Sequence, residues 1–437
     1  MRVLVAAHDF YPDPGSGGTG RYVYETTKRL ADRGHDVSVL TRRRGDVPAR
    51  ETVSGVRVAR YDLDVAERSA PEIAARLPGA VRAVRDHFDA LPDPDLVSLQ
   101  GTVTDLLADL LVPEDVPRSA TFHSPWPTEY RIRAGHADTV SGPRRGLNAA
   151  LRRRIERSTL ASCERVLALS EFMAGKLREV HGPVADPVVV PGGVDAERYR
   201  PDAGVYDSMR SANSGESVGA SESVPTYSST PETSAERAIS AAVESEGGDV
   251  ATDFLTVRRL SPRMGHGMLL RAFARVARER PDVHLHVAGD GPLREELERT
   301  AADLGVADRV TFLGYVPDED LPGAYATADC FVLPTRRLEG FGLATLEALA
   351  SGTPVVATPV GGTTEILSGL REDPRVPTEM VVESVAPDSL ADRMAAWADL
   401  APARRDAAGR ACREHARENY AWDRTADAIA AEYREIA

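Results

Sequence analysis

Two glutamates separated by seven residues, Glu339 and Glu347, stand in the segment LEGFGLATLEALASGTPVVAT. Glu347 falls in a helical pattern whose other positions include Leu343, Ala344, Leu346, Ala348, Leu349 and Ala350. A carboxylate among such neighbours is rarely buried without polar partners, so it implies a polar ligand. Glu339 lies in the loop before that helix, where Gly340, Phe341 and Gly342 bring bare backbone N–H groups to the helix start. Carboxylates accept hydrogen bonds from hydroxyls, and the N–H groups of a helix start attract anions. A polyhydroxylated phosphoester such as a nucleotide sugar meets both demands. The plainer alternative is a pair of exposed acids favoured by the helix macrodipole.

Other residues could act on such a ligand. Arg258 and Arg259 follow an apolar run, Phe254 to Val257, where a strand-end cation faces the cleft, and a guanidinium fork can hold a diphosphate. Solvated surface arginine is the competing reading. His123, in TFHSPWP, ends another short apolar run and is placed to meet a ligand from the opposite side. A lone histidine suits a structural role equally well. His266, His284 and His286 are expected to be structural. The pairs Asp93/Asp95 and Asp62/Asp64 look like metal-binding dipeptides, but one sits in a loop before a strand and the other in an acidic run, so no metal is expected.

Gly15, Gly17 and Gly20 match the dinucleotide fingerprint GxGxxG literally. That fingerprint must follow its strand at once and be answered by an acid about 20 residues later. Here His8 to Pro14 intervene, and the second strand runs into Thr41, Arg42, Arg43 and Arg44. A nicotinamide site is therefore not expected, nor any other cofactor. The glycines fit better as a mobile loop leading into a helix N-terminus that can approach an anion.

The elements that must position these residues alternate. An apolar run from Arg2 to Ala7 precedes a helical pattern from Arg21 to Arg33 and a second run from Asp36 to Leu40. Further runs at 96–99, 119–122, 166–169 and 188–190 alternate with helical stretches, and a second series follows at 254–257, 283–288, 310–313, 330–333 and 355–357. Such alternation argues for parallel sheets with helices on both faces. The expected fold class is α/β, with two Rossmann-like parallel-sheet domains facing a central cleft. Ligands in such sheets bind beyond the carboxyl ends of the strands. The expected divisions are 1–195, an insertion at 202–252, a second domain at 253–418, and a final helix at 419–437. The insertion is so rich in Ser, Glu, Gly and Thr that disorder is expected, as a solvated loop or a partner-binding segment.

The whole chain, 437 residues with 42% apolar and 27% charged content, can bury a large core in two or three domains. No stretch approaches the roughly 18 to 20 apolar residues needed to span a bilayer, and no signal-like run opens the chain, so a cytoplasmic protein is expected. Cys163, Cys330 and Cys412 are far apart, without metal-ligand spacing, which fits a reducing compartment. The net charge of −14 disfavours nucleic acid as a partner. Lys28 and Lys176 are the only lysines. A halophilic cytoplasm and a genome that writes arginine for lysine both account for that.

Several segments in order, PDPGSGGTGRY, TFHSPW, LALSEFMAGKL, VVPGGVDAERYRP, RRLSPRMGHGMLLRAF, VAGDGPLREELE and the Glu339 to Glu347 pair, give the chain a resemblance to the family 4 glycosyltransferases. The resemblance covers nearly everything outside the insertion. It implies the GT-B fold and a retaining, metal-independent transfer from a nucleotide sugar to an acceptor. It also implies roles: Glu347 for the ribose hydroxyls, Glu339 and His123 for the donor sugar, and Gly340, Phe341, Gly342 and Leu343 around phosphate and sugar. Arg259 would take the diphosphate, Gly17 and Gly18 would close over the phosphates, and the backbone around Val316 would read the base. The final helix would cross back onto the first domain.

The chain departs from the family where the usual lysine is Met264. Arg263 is then expected to reach the diphosphate, and a catalytically weak or silent nucleotide-sugar-binding module is the alternative to an active enzyme. Another departure, Gly192 in place of the usual Asn, is expected to shape a turn. The densest basic stretch, from Arg131 to Arg157, fits a lipid-linked or glycan acceptor or peripheral contact with a membrane. Against that, Leu147, Leu151, Ile155 and Leu160 are expected to form the buried stripe of an ordinary amphipathic helix.

Overall fold

Short runs of Val, Leu and Ala without polar alternation become strands covered on both faces. In the computed structural model β1 (Arg2–Ala7) is buried from Val3 onward, as parallel sheets require. The structure describes residues 1–437 except 64–69, 92, 135–141, 185, 205, 207–208, 210–250 and 377–378; most of the insertion expected at 202–252 thus lies outside the described residues.

The first sheet has eight strands: β2 (Asp36–Arg42), β3 (Arg50–Val53), β4 (Val56–Tyr61), β5 (Leu96–Gln100), β6 (Arg118–Phe122), β7 (Arg165–Ala168) and β8 (Val188–Val189) join β1 in the order β3-β4-β2-β1-β5-β6-β7-β8. All pairs are parallel except β3 with β4. This corrects the expectation of a purely parallel sheet. Ser54, with φ +48°, and Gly55 turn the chain back on itself at the sheet edge. Helices α1 (Gly17–Asp32), α2 (Ala70–Phe88), α3 (Thr102–Asp109), α4 (Trp126–Ala134), α5 (Gly142–Ala161) and α6 (Glu171–His181) link these strands.

The second sheet is smaller and wholly parallel: β9 (Thr252–Val257), β10 (Val283–Ala288), β11 (Val310–Gly314), β12 (Cys330–Leu333) and β13 (Val355–Ala357), in the order β11-β10-β9-β12-β13. In both sheets the order reverses beside the first strand of the series. That reversal leaves a crevice at the carboxyl ends.

The halves are joined twice. The chain leaves the first sheet through Pro191–Val194 and returns at Tyr420–Trp422, and the two crossings lie side by side. Val194 N donates to Tyr420 O at 2.7 Å, and Thr425 Oγ1 donates to Pro191 O at 2.9 Å. Gly193 has backbone contact with Trp422 so close that an added Cβ would lie 2.7 Å from its Cα. The last helix, Trp422–Ile436, packs on the first sheet, with Tyr433 donating to Ser98 Oγ at 2.8 Å and Arg33 bridging Asp423 and Asp427.

One helix departs from the sequence expectation. On α5, Leu147 is 72% exposed and Leu151 54% exposed, so they are not part of a buried stripe. The side that packs is made instead by Ala149, Glu156, Thr159 and Leu160. The inward carboxylate makes this possible: Glu156 accepts from Trp126 N at 3.1 Å and pairs with the buried His181 at 2.9 Å. A buried polar anchor therefore turns the helix so that Leu147 and Leu151 face outward while Leu160 stays packed.

Candidate active site

The loop-to-helix turn after β12 supplies the densest chemistry. Gly342, with φ +111°, caps the helix Leu343–Ala350, and a side chain there would overlap the Thr363 hydroxyl. Only glycine fits that combination of angle and space. The helix carries Glu347 inward, where Tyr325 Oη donates to its carboxylate at 3.0 Å. Burial raises the Glu347 pKa, while the Tyr325 hydrogen bond and the Arg21 charge oppose the rise. Tyr199 also hydrogen-bonds to this carboxylate, and a carboxylate has about four acceptor sites in all.

Glu339 lies at the cleft floor, and Arg258 Nη1 meets its carboxylate at 2.6 Å. Both side chains are largely buried. The same guanidinium approaches the Met264 sulfur at 3.1 Å. The position where the family lysine is missing is therefore filled by a cation from the end of β9. Arg259, expected to hold the diphosphate, is exposed, and its side chain makes no hydrogen bond or ion pair among the described residues. Arg263 is committed elsewhere: its Nη1 donates to Leu338 O at 2.7 Å, and burial lowers its pKa. That bond holds a strained residue, since Leu338 is buried with φ +57°. The left-handed conformation costs an L-residue roughly 1–2 kcal/mol.

The facing wall comes from the first sheet. His123 follows β6; its ring packs edge-on against Tyr22 with centroids 5.1 Å apart, and Nε2 is 3.3 Å from Gln100 Oε1. Burial lowers its pKa to about 4, so the imidazole is neutral near pH 7. Its carbonyl oxygen lies 2.9 Å from where a Cβ on Gly340 would stand. His123 and the Glu339 loop thus meet across the cleft. Gly17 and Gly18 belong to the first turn of α1 itself rather than to a preceding loop. Gly17 has φ +62°, which favours glycine, and among the described residues nothing lies within 4 Å of a Cβ built there beyond its chain neighbours and the helix backbone; a Cβ on Gly18 would be 3.6 Å from Leu343. The loop before them is pinned: Arg60 forks onto Asp13 at 2.6 and 2.7 Å, and Arg44 Nη1 donates to Gly15 O at 2.6 Å.

Two further contacts stitch the walls together. Ser170 Oγ caps α6 by accepting from Met173 N at 3.1 Å and donates to Gly340 O at 2.7 Å. Glu365 accepts from Glu171 N and Phe172 N at 2.9 and 2.8 Å, a carboxylate from one half capping a helix of the other. Gly192 turns out to serve close approach rather than a turn: a Cβ there would stand 2.8 Å from the Phe341 ring. Val316 is buried beside the exposed Tyr315, at the edge where β11 ends.

The structure thus gathers Glu339, Gly340, Phe341, Gly342, Leu343 and Glu347 with Gly18 and His123 around one cleft. Tyr325 and Glu365 escaped the sequence reading, which named Arg258 beside Arg259 but gave the diphosphate to Arg259. Two adjacent arginines gave no way to choose the inward one, and Tyr325 and Glu365 are distant in sequence from the residues they serve. His286, expected to be structural, bonds Asp253 at 2.9 Å, whereas both ring nitrogens of the buried His266 have no partner. Among the described residues no group of His, Cys, Asp and Glu has metal-site geometry.

Comparison with known proteins agrees with this architecture. The family described as Glycosyltransferase Family 4 matches residues 16–198, and that described as Glycosyl transferases group 1 matches residues 248–414. The chain is 31% identical to the D-inositol 3-phosphate glycosyltransferase of Geodermatophilus obscurus, over 97% of this chain and 86% of that one. It is 33% identical to the GDP-mannose-dependent alpha-(1-6)-phosphatidylinositol monomannoside mannosyltransferase of Mycolicibacterium smegmatis, a match spanning 59% of this chain and 58% of that enzyme. Among solved structures, sucrose-phosphate synthase from Thermosynechococcus elongatus superposes with a TM-score of 0.74 at 22% identity, covering 100% of this chain and 99% of that one. That likeness establishes the two-domain GT-B fold.

Proposed function

This chain belongs to the family 4 glycosyltransferases and takes its sugar from a nucleotide-activated donor, and we propose that it transfers that sugar with retention of configuration, without a metal ion, to an acceptor presented at the cytoplasmic side of a membrane. The observation that carries the reading is the Glu339–Arg258 pair beside the Gly342 turn. On this reading the carboxylate meets the sugar hydroxyls and the cation the leaving diphosphate.

The acceptor hydroxyl attacks the anomeric carbon from the face the diphosphate leaves. The bond from that carbon to the diphosphate oxygen breaks as the bond to the acceptor oxygen forms, and the hydroxyl proton passes to the departing oxygen. Arg258, Arg259 and the N–H groups at the start of the helix Leu343–Ala350 offset the negative charge that develops. Glu347 holds the ribose, and Glu339 and the neutral His123 orient the sugar. The contacts of Ser170 and Glu365 close the cleft around the reactants and exclude water.

Peripheral membrane contact is supported by α5. Its exposed Leu147 and Leu151 lie among Arg144, Arg153, Arg154 and Arg157, and its one acid, Glu156, is turned inward. Exposed apolar side chains ringed by cations suit an anionic lipid surface. Among the described residues no helix is long and apolar enough to cross a membrane.

The test is donor hydrolysis and product anomeric configuration across UDP-, GDP- and ADP-sugars. Slow release of free sugar with the donor's configuration supports retention. Tight donor binding with no turnover under any acceptor condition identifies a silent binding module instead.

A further inference from the structure

A second cavity opens beside the donor cleft. It measures about 470 Å³ and lies between α4 and α6 of the first half and two loops of the second. Arg131, Lys176 and Arg337 line it, with Ile132, Phe172 and Val360 among its apolar walls. No acidic side chain lines it among the described residues, although the chain as a whole carries 67 acids against 53 bases. The side chains of Arg131 and Arg337 are exposed and make no hydrogen bond or ion pair among the described residues. Lys176 is shared with Glu179 at 2.6 Å and lies 5.6 Å from the centre of the Phe172 ring.

The position of this cavity ties it to the chemistry. Leu338, one of its lining residues, sits between Arg337 and Glu339 in the chain. Its left-handed backbone, held by Arg263, fixes where both neighbours emerge. Strain of this kind persists where the surroundings over-determine it, and it gathers at functional sites. Only one other non-glycine residue among those described has a positive φ, Ser54 in the β3–β4 turn. A short, enforced step in the chain thus connects a groove cation to the carboxylate of the donor site.

Resting on the glycosyltransferase reading, we propose that this groove is the acceptor subsite and that Arg131, Lys176 and Arg337 hold a phosphate ester carried by the acceptor. Two guanidinium forks without a side-chain partner, beside an ammonium shared with Glu179, match the several oxygens of a phosphate. Apolar walls between the cations suit the carbon skeleton that bears it. The phosphate has two possible sources, a small soluble sugar phosphate or a lipid headgroup, and the same three cations would grip either.

The test is equilibrium binding to the full-length protein, with its donor site first saturated by a nucleoside diphosphate so that added phosphate cannot enter there. The probes are inorganic phosphate, glucose 6-phosphate, glucose, soluble dioctanoyl phosphatidylinositol and dioctanoylglycerol. Phosphate-bearing probes are expected to bind at least 10-fold tighter than their neutral counterparts. In Arg131→Ala/Lys176→Ala/Arg337→Ala that preference should vanish while affinity for the nucleoside diphosphate persists, which also certifies folding. Tighter binding of the lipid than of glucose 6-phosphate names the headgroup as the source, and the reverse order names a soluble ester. A wild-type protein that binds the nucleoside diphosphate but shows no preference for phosphate overturns the proposal, as does a preference that survives the triple substitution. A protein that binds no nucleoside diphosphate overturns the reading beneath it. The single Arg337→Lys variant adds a graded readout: a compact ammonium should keep part of the preference.

Discussion

The glycines on the two sides of the cleft do opposite work. Around Glu339 the second half is a filled mould: a methyl group on Gly342 would overlap Thr363, and one on Gly361 would overlap the backbone of Glu339. Across the cleft, a methyl group on Gly17 would meet nothing within 4 Å, and one on Gly18 would make an ordinary contact. On one side glycine is required by the protein's own packing. On the other the protein leaves room around both positions, although the φ of +62° at Gly17 still calls for glycine. A site built this way has one wall that fixes geometry and another that closes on whatever the first wall holds.

The sharpest way to break this contrast is Gly342→Ala. It adds backbone strain and a clash at once, costing on the order of 2–3 kcal/mol, so thermal unfolding should shift down markedly and donor binding measured by calorimetry should fall by about 100-fold or more. Next comes the pair of adjacent arginines. Arg258→Gln leaves Glu339 buried without its cation, a loss of roughly 3 kcal/mol or more, and should lower turnover far more than Arg259→Gln. Equal effects on kcat would show that the inward position has no special role.

A third expectation concerns the facing wall and pH. The His123 pKa falls from 6.5 to about 4 on folding, so the unfolded chain takes up the proton first and stability declines as pH drops from about 6.5 towards 4. Between pH 7 and pH 5 this contributes a loss of about 2 kcal/mol. Urea unfolding of His123→Gln should show a correspondingly shallower decline, and an unchanged slope would remove His123 as its source. Fourth, Gly18→Ala should leave stability unchanged or raise it by about 0.5–1 kcal/mol, because alanine suits a helix better, while the KM for the donor rises several-fold. The smallest expected effect is on the outer face of α5: Leu147→Ser/Leu151→Ser should move stability by less than about 0.5 kcal/mol and yet abolish flotation with anionic vesicles. Retained flotation removes the membrane contact.

Much of the mould was legible beforehand because it is local. Glu347 in an otherwise apolar helix, and glycines at its start, carry their meaning within ten residues. The wholly parallel second sheet was equally legible, since its strands are short, mostly apolar runs separated by helical stretches. What escaped depends on contacts between distant segments. The β3–β4 edge hairpin is built from charged residues such as Arg50 and Glu51, which do not alternate cleanly with apolar ones. Choosing Arg258 over Arg259 requires knowing which way the chain turns after β9. The outward leucines of α5 follow from the Glu156–His181 contact between two helices, and helical periodicity alone points those leucines the wrong way.

The doubled connection at Val194 and Tyr420 sets the kind of motion open to the two halves. Two strands of chain crossing side by side and bonded to one another behave as a leaf hinge: they permit folding about a single line and resist sliding or twisting. Any opening of the halves about that line would break the contacts of Ser170 with Gly340 and of Glu365 with Glu171 and Phe172.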